Sequence, residues 1–288
     1  MKTIAKKLIQ QSFEAFGVGI TRHETLQRLR KNESTNEAIE LLKWLKEDAV
    51  QKLSKKERDS DDIEFLKSLN EDAVGKAVRL LEVSKSQLRQ DLFVLAELRF
   101  KRNGFFVEFG ATDGFDLSNT YLLENDFNWK GILAEPARVW RKDLVKNRNA
   151  KIDFDCIWKE SGKKIKFNET IEPVYSTITE FNAKDSHAEI RRSGNSYAVK
   201  TVSLLDLLER HSAPRRIDYL SIDTEGSEYE ILRHFDFNAY QFSIITCEHN
   251  FTSDRGRIFE LLTAKGFVRK FEHLSKFDDW YVRPNLLS

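Results

Sequence analysis

The sequence predicts an α/β protein, in which a mostly parallel sheet is wrapped by helices, ends in an antiparallel C-terminal hairpin and follows an α-helical N-terminal region. Two observations support this prediction. All four prolines follow residue 130 and only three glycines precede residue 100, so structure-breaking residues are concentrated in the second part. From residue 104 onward, short apolar runs alternate with helical stretches, as in a parallel sheet with helical crossovers. We therefore expect a helical region at 1–85 and an α/β domain at 86–288.

The N-terminal region shows the periodicity of amphipathic helices. Apolar residues recur every three or four positions in two runs, Ala5, Ile9, Phe13 and Phe16, then Ile39, Leu42, Leu45 and Ala49. Ser84 is placed to cap a further helix that contains Leu88, Leu92, Leu95 and Leu98. We expect these helices to pack on the α/β domain or to form a homodimer. Contact of the basic first turns with a membrane surface is the alternative.

Seven apolar runs mark the predicted strands of the α/β domain. Turns or helical stretches follow the early runs, and the last two runs flank a polar loop, which indicates an antiparallel hairpin. The runs are Phe105–Phe109, Ile132–Ala134, Ile152–Ile157, Ile217–Ile222, Phe242–Cys247, Phe267–Phe271 and Trp280–Val282.

The charge balance gives no general attraction to polyanions. The chain has 47 basic and 46 acidic residues, which leaves a net charge of +1 at pH 7, so neither nucleic acid nor an anionic membrane is an expected partner. The two cysteines cannot form a disulfide framework. No apolar stretch has the length of a membrane-spanning helix, and the first residues lack the pattern of a secretory signal. We therefore expect a cytoplasmic protein without stable membrane insertion.

The first predicted strand leads into a glycine turn. Phe105–Phe109 is followed by the segment 110–114, where glycine permits a sharp turn and close approach to a ligand. The spacing Glu108-x-Gly110-x-Thr112-x-Gly114 resembles the acidic-Gly-x-Gly-x-Gly motif of Rossmann-like methyltransferases. In that motif the loop wraps the methionine part of S-adenosylmethionine and the acid contacts its amino group. Thr112 replaces the middle glycine, and a tight turn of any α/β domain is the alternative.

The next two predicted strands also carry acids. Glu135 ends the second strand about twenty residues after the glycine turn, where doubly wound folds place an acid on the ribose hydroxyls. Pro136 follows it and ends the strand, because proline has no N–H to donate. A charged strand end in solvent is the alternative for Glu135. Asp155, with the Cys156 backbone beside it, is the predicted acceptor for the adenine amino group. The alternative places Asp153 and Asp155 on a solvated face.

Polar clusters follow the fourth and fifth predicted strands. Their members are Asp223, Glu225 and Glu228 after the fourth strand and Glu248, His249 and Asn250 after the fifth. Because the carboxyl ends of parallel strands meet at one edge of a sheet, we expect these side chains near the glycine turn. Helix N-terminal acids, favoured by the helix dipole, are the alternative for Glu225 and Glu228.

Four sequence blocks together resemble the FkbM family of methyltransferases. They are FFVEFGATDGFDLSNTYLLE, GILAEP, IDYLSIDTEGSEYEIL and ITCEHN, and the resemblance covers residues 90–285. It implies a Rossmann-like methyltransferase fold, S-adenosylmethionine as methyl donor, and O-methylation, commonly of sugar hydroxyls in glycans, glycolipids or natural products. By position it implies a cofactor site lined by Glu108, Gly110, Asp113, Asn119 and Glu135. We add their neighbours Ala111, Thr112 and Pro136 as further cofactor-binding candidates.

Methyl transfer to a hydroxyl needs a base, because a hydroxyl is a poor nucleophile at neutral pH. We hypothesise that Asp223 or His249 is this base, that Glu248 orients its neighbour, and that Glu225 is a further candidate. We assign no metal ligand. The same side chains also suit Mg²⁺ or Mn²⁺, which is the alternative use of this cluster.

A polar stretch between predicted strands is the expected acceptor site. Its candidate residues are Ser176, Thr177, His187 and Arg191, and a small molecule or glycan is the expected partner. A solvated loop is the alternative. Two other functions stay open, a nucleotide-cofactor oxidoreductase and a non-catalytic module with a degenerate cofactor pocket.

Overall fold

The computed structural model describes residues 60–287, and every structural statement below concerns this part of the chain. The predicted helices within 1–59 lie outside the described residues. Residues 64–288 form one compact unit, and the predicted division at residue 85 stays a prediction. None of the helices within 60–287 combines the length and the apolar character needed to cross a membrane.

Strands and helices alternate along the described chain. The strands are β1 (Phe105–Phe109), β2 (Lys130–Ala134), β3 (Lys151–Asp153), β4 (Cys156–Ile157), β5 (Lys164–Glu169), β6 (Thr177–Ile178), β7 (Asn195–Val202), β8 (Arg216–Ile222), β9 (Gln241–Glu248), β10 (Val268–Lys270) and β11 (Asp278–Val282). The α-helices are α1 (Glu71–Leu80), α2 (Gln90–Glu97), α3 (Tyr121–Phe127), α4 (Arg141–Asn147), α5 (Ala188–Arg191), α6 (Leu204–Arg210), α7 (Glu228–Arg233) and α8 (Asp254–Ala264). Residues 60–68 are also helical.

The main sheet is doubly wound. Seven strands lie in the order β3-β2-β1-β8-β9-β11-β10. β11 runs antiparallel to both β9 and β10, and the other neighbouring strands are parallel. Counted along the chain within this sheet, the order is 3-2-1-4-5-7-6, a Rossmann-like arrangement in which the last two strands are exchanged. The predicted parallel sheet with an antiparallel C-terminal hairpin is therefore confirmed.

Both faces of this sheet are buried, as a parallel sheet requires. Side chains alternate along β1, so that Val107 and Phe109 face one apolar cluster and Phe106 faces the other. Trp280 of β11 is fully buried on the second face, with its ring centroid 4.8 Å from that of Phe93 and 6.5 Å from that of Phe65. A residue that precedes position 85 thus belongs to the core of the α/β unit.

A second, four-stranded sheet was not predicted. Its order is β4-β7-β5-β6, and it arises where the predicted strand Ile152–Ile157 divides into β3 of the main sheet and β4 of the second. At the break, the Asp155 N–H donates to Asp153 Oδ1 at 2.9 Å, an Asx-type turn that redirects the chain. This sheet carries Phe167 and Ile178 into the wall of the cavity described next.

The segment before α2 also differs from its prediction. Ser84 does not cap the helix, since α2 begins at Gln90 after Arg89, whose φ is +68°. The Ser84 hydroxyl instead donates to Asp91 Oδ1 at 2.7 Å. Ser84 therefore ties the preceding segment to the first turn of α2.

Candidate active site

A cavity of about 330 Å³ opens at the carboxyl edge of the main sheet. Its wall combines the residues that follow β1, β2, β8 and β9 with residues of the second sheet and its loops. Most of the predicted site residues line it, namely Glu108, Gly110, Thr112, Asn119, Glu135, Pro136, Cys156, Ser176, His187, Asp223, Glu225 and Glu248. The predicted meeting of the strand ends is therefore confirmed.

Gly110 allows two strand ends to pack closely. Its φ is +69°, and a Cβ atom at this position would lie 1.9 Å from the backbone oxygen of Asp223. Any side chain would push the end of β1 away from the end of β8. Thr112, which replaces the middle glycine of the motif, also has a left-handed backbone with φ +48°, and its N–H donates to Glu135 Oε2 at 2.9 Å.

Left-handed backbone conformations recur around the cavity. Besides Thr112, the lining residues Leu117, Glu225, Asn250 and Phe251 have φ between +43° and +61° without being glycine. Such conformations cost free energy and persist where the surrounding structure imposes them, frequently at functional sites. Each of these residues follows a strand of the main sheet.

Glu108 organises the loop after β1. Its carboxylate accepts hydrogen bonds from the Asn119 N–H at 2.7 Å and from the hydroxyls of Ser118 and Thr120. Arg148 Nη1 lies 3.5 Å from Glu108 Oε2, and both side chains are almost fully buried. Glu108 thus contacts the cavity while its oxygens bind the protein's own donors.

Glu135 directly follows β2 and lines the cavity, at the position where the sequence predicts a contact with the ribose. Its oxygens accept from the Thr112 N–H at 2.9 Å and the Ala137 N–H at 2.8 Å. Burial raises the pKa of Glu135 to about 7. A carboxylate has about four acceptor positions, so these two bonds leave capacity for a ligand's hydroxyls.

The adenine contact predicted for Asp155 is corrected. Its carboxylate accepts from Arg210 at 3.0 Å and lies outside the cavity wall, because the turn at the end of β3 points it toward α6. The wall at this point consists of Cys156 and Ile157. Burial raises the pKa of the Cys156 thiol, which keeps it protonated.

Ala111 and Asp113 support the glycine turn rather than line the cavity. Ala111 is buried in the core. Asp113 Oδ1 accepts from the N–H groups of Phe115 and Asp116 at 2.8 and 2.9 Å, which stabilises the turn after the loop.

Three carboxylates, Asp223, Glu225 and Glu248, form what we call the acid cluster. One oxygen of each lies within 4.8 Å of the others. Burial and mutual repulsion raise the pKa values of Asp223 and Glu248 well above those of free carboxyls. Glu228 is not a member, since its Oε1 accepts from the N–H groups of Thr224 and Gly226 at the start of α7. The helix N-terminal alternative is thus confirmed for Glu228.

His249 does not reach the cavity, which corrects its assignment as a base. Side chains alternate beyond the end of β9, so Glu248 lines the cavity and His249 points to the opposite side. There His249 Nδ1 accepts from the Phe251 N–H at 3.0 Å, and Nε2 lies 3.7 Å from Asp279 Oδ1. Burial lowers the pKa of His249.

The predicted acceptor residues divide into two groups. Ser176 and His187 line the cavity. Thr177 and Arg191 are buried behind it. The Thr177 hydroxyl donates to the backbone oxygen of Glu225 at 2.9 Å, and Arg191 Nη2 donates to Glu225 Oε2 at 2.6 Å. These two residues support the wall from behind and are not among the residues that line the cavity.

Sequence reasoning missed Asp278 and Gln90. Both line the cavity, and Gln90 Nε2 donates to Asp278 Oδ2 at 3.1 Å. Burial raises the pKa of Asp278 to about 7. Asp278 lies opposite Glu248 in the antiparallel register. A signal was available, because an antiparallel strand begins at the edge where its parallel neighbours end, and Asp278 lies two residues before the predicted strand Trp280–Val282.

Three buried side-chain oxygen atoms of lining residues have no hydrogen-bond donor. They are Asn119 Oδ1, Glu248 Oε2 and Asp278 Oδ1. Buried polar atoms are almost always paired in folded proteins. A ligand that brings N–H groups and positive charge would pair them.

A doubly wound sheet with acids and a glycine turn around a cavity at its carboxyl edge is typical of Rossmann-like proteins that bind a nucleoside-containing cofactor. The family model described as "Methyltransferase FkbM domain" matches residues 108–278, more than half of the chain. The chain therefore belongs to the FkbM methyltransferase family.

Several solved structures are similar in part. Methyltransferase FkbM from Methylobacillus flagellatus KT has a TM-score of 0.42 and 10% identity, over 78% of this chain and 59% of that one. Precorrin-6y C5,15-methyltransferase from Geobacter metallireducens GS-15 has a TM-score of 0.37 and 11% identity, over 67% and 85%. A human methyltransferase 10 domain containing protein has a TM-score of 0.32 and 11% identity, over 70% and 85%. No curated protein matches the chain.

Proposed function

We propose that this methyltransferase transfers the methyl group of S-adenosylmethionine to a sugar hydroxyl on a glycan, glycolipid or related metabolite. The side chains that line the cavity support this proposal. Carboxylates and unpaired acceptor atoms lie inside it, and exposed apolar side chains lie at its opening. The cavity can therefore bind a cationic donor and an acceptor that has both hydroxyls and an apolar face.

The described residues fit S-adenosylmethionine. Glu135 would hold the ribose hydroxyls, and the unpaired oxygen of Asn119 would accept from the amino group. When bound, the cofactor supplies an activated methyl group on a positively charged sulfur. The protein therefore has to orient the two reactants and remove one proton. The negative cavity favours the donor over its demethylated product, which lacks the sulfonium charge.

The opening of the cavity supports an acceptor with an apolar face. Leu117, Val174 and Phe251 line it and remain exposed, Phe251 at 71% of its surface. Tyr175 adds a further aromatic ring to the wall. A sugar ring presents apolar C–H groups on its face and hydroxyls at its rim, so these side chains can cover the face while the acid cluster binds hydroxyls.

Calorimetry and label transfer test the proposal. We expect S-adenosylmethionine and S-adenosylhomocysteine to bind and NAD not to bind, and Glu135→Gln to weaken both interactions. With labelled S-adenosylmethionine and a panel of glycans and glycosides, we expect label on a sugar oxygen, located by mass spectrometry. Binding of NAD alone would favour an oxidoreductase. Donor binding without transfer to any acceptor of any class would favour a non-catalytic module, and label on nitrogen or carboxylate would overturn O-methylation.

Chelation distinguishes two uses of the acid cluster. Its oxygens are close enough to share a divalent cation such as Mg²⁺. We expect instead that a proton shared by Asp223 and Glu248 relieves their repulsion and that Arg191 neutralises Glu225. Methyl transfer should then be unchanged in EDTA. Loss of transfer in EDTA that Mg²⁺ restores would show that the cluster holds a cation.

Three sequence predictions remain part of this proposal. They are a cytoplasmic location, a small-molecule or glycan partner rather than nucleic acid, and a homodimer formed through the N-terminal helices. Cell fractionation and light scattering of the full chain test the first and the last.

A further inference from the structure

We propose that His187 is the general base, accepting the proton of the acceptor hydroxyl at Nε2, and that Glu225, Asp185 and Arg191 hold its ring in place. This assignment rests on the proposed O-methylation. We call these four residues the His187 network. The sequence suggested His187 only as an acceptor-binding residue, and its surroundings give it a different role.

The orientation of the imidazole suits a base. Nδ1 is buried without a hydrogen-bond partner and lies 3.8 Å from Glu225 Oε2 and 3.7 Å from Asp185 Oδ1. The side chain keeps 25% of its surface exposed and lines the cavity. The ring thus turns Nδ1 toward two carboxylates and leaves Nε2 for a group in the cavity. The Tyr175 ring stacks on it, with centroids 4.3 Å apart and planes inclined by 28°.

Arg191 fixes the two carboxylates. Its side chain is fully buried and donates from Nη1 to Asp185 at 2.7 Å and from Nη2 to Glu225 at 2.6 Å. Nε donates to the backbone oxygen of Tyr175 at 2.9 Å, so the same guanidinium also holds the residue that stacks on His187. Two carboxylates against one guanidinium leave one excess negative charge, which stabilises the imidazolium formed after proton transfer.

The same network disfavours a cation. Asp185, His187 and Glu225 lie close enough to share a metal ion. However, the Arg191 guanidinium already binds one oxygen of each carboxylate at hydrogen-bond distance, and its charge would repel a second cation placed between them.

The other candidate bases either lie outside the cavity or lie where their basic form is disfavoured. His249 lies outside the cavity wall. Asp223 and Glu248 line the cavity, but burial and mutual repulsion raise their pKa values, which disfavours the charged form that a base requires. A protonated carboxyl can donate a hydrogen bond to an acceptor hydroxyl but cannot remove its proton. His187 is the remaining imidazole among the described lining residues.

The proposed step balances in atoms and charge. The acceptor oxygen forms a bond to the methyl carbon while its O–H bond breaks and the proton passes to His187 Nε2. The carbon–sulfur bond breaks, and its electron pair neutralises the sulfonium. His187 leaves the step as an imidazolium beside Glu225 and Asp185, and later returns the proton to water.

The pH dependence follows from the groups that face His187. Glu225 raises its pKa and Asp185 adds to this effect, whereas burial and Arg191 oppose it. The imidazole is a base only when neutral, so turnover should rise with pH through this raised pKa. Glu225→Gln removes the group that raises the pKa of His187 most. The rising limb of the pH profile of turnover should therefore move to lower pH.

The test compares His187→Gln with His211→Gln in the full chain. His211 is a matched control because its Nε2 lies 2.9 Å from Asp153 Oδ2 in another histidine–carboxylate pair outside the cavity wall. We expect His187→Gln to lower kcat by about 10²- to 10⁴-fold and to lose the rising pH limb, with donor affinity by calorimetry unchanged. The His211→Gln control should keep the wild-type kcat and the rising pH limb. Added imidazole should restore part of the turnover of His187→Ala.

Each outcome separates this inference from the proposed function. Wild-type label transfer to a hydroxyl, together with full turnover in His187→Gln, would overturn the base while leaving O-methylation intact. A raised KM with unchanged kcat would show that His187 only binds the acceptor. Dependence on Mg²⁺ in wild type, lost in His187→Gln, would show a metal site instead. Absence of hydroxyl methylation in wild type would overturn both proposals.

Discussion

The two halves of the cavity handle buried carboxylates in opposite ways. On the side of β1 and β2, the oxygens of Glu108 and Glu135 accept hydrogen bonds from backbone N–H groups and hydroxyls of neighbouring loops. On the side of β8, β9 and β11, Glu248 and Asp278 each keep one buried oxygen without a donor. We call the first half the donor side, because the predicted cofactor residues lie there, and the second half the acceptor side. The carboxylates of the donor side therefore have partners within the protein, whereas two carboxylates of the acceptor side keep an unpaired oxygen.

This difference indicates where free energy of folding is given up for function. A buried carboxylate with its own donors stabilises a loop, while an unpaired one costs desolvation energy that a ligand can offset. Active sites commonly retain such destabilising groups. The contrast predicts that removing a carboxylate lowers stability on the donor side and raises it on the acceptor side.

The largest expected effect is on Glu108. Glu108→Ala leaves Ser118, Thr120 and the Asn119 N–H without their acceptor and removes one partner of the buried Arg148. We expect a loss of about 3–5 kcal/mol in the free energy of unfolding, measured by urea denaturation.

Glu97→Gln is the matched control for this substitution. Glu97 binds Lys270 at 2.9 Å on a partly exposed surface away from the cavity wall, where an ion pair contributes about 1 kcal/mol or less. Equal losses in the two variants would contradict the structural role assigned to Glu108.

An opposite and smaller effect is expected on Glu248. Glu248→Gln removes one of two mutually repelling carboxyls, so we expect the free energy of unfolding at pH 8 to rise by about 1 kcal/mol. A carboxyl with a raised pKa holds its proton more tightly in the folded state. The contribution of Glu248 to wild-type stability should therefore be largest below the unfolded pKa, 4.5 for a free glutamate, and fall as pH rises toward the raised value.

Between pH 5 and 9, the free energy of unfolding of Glu248→Gln, measured by denaturation, should fall less steeply than that of wild type. Glu248→Asp keeps a carboxyl and serves as the control that retains the steeper dependence. A Glu248→Gln variant that is less stable than wild type at pH 8 would show that Glu248 has protein partners, and the contrast between the two halves would fail.

The sequence predicts the positions of Gly110 and Glu135 on the donor side because their signals are local. A buried strand, a glycine turn and an acid about twenty residues later fix Gly110 and Glu135 at one edge of a sheet. On the acceptor side, the alternation of side chains along a strand decides which residues line the cavity. Glu248 and His249 follow the same strand, yet alternation sends them to opposite faces, and residue types alone do not indicate which of the two enters the cavity.

Other features depend on contacts distant in sequence. The Asp155 turn divides one predicted strand between two sheets, and a short polar turn inside an apolar run gives little warning. Glu225 lies 34 residues after Arg191, which binds it, and only the tertiary fold brings Asp185, His187 and Glu225 together. The His187 network therefore could not be predicted from the residues that follow the strands.

The smallest expected effect concerns Thr112, where the sequence departs from the glycine motif. Its left-handed backbone is costly for a β-branched residue, but glycine costs more entropy on folding, so the two terms of about 1 kcal/mol oppose each other. If the donor side is built from backbone groups, Thr112→Gly should change stability by less than about 1 kcal/mol and leave donor affinity by calorimetry unchanged. Ser212→Gly, with φ +50° outside the cavity wall, is the matched control. A clear loss of donor affinity in Thr112→Gly alone would show that the threonine side chain contacts the cofactor.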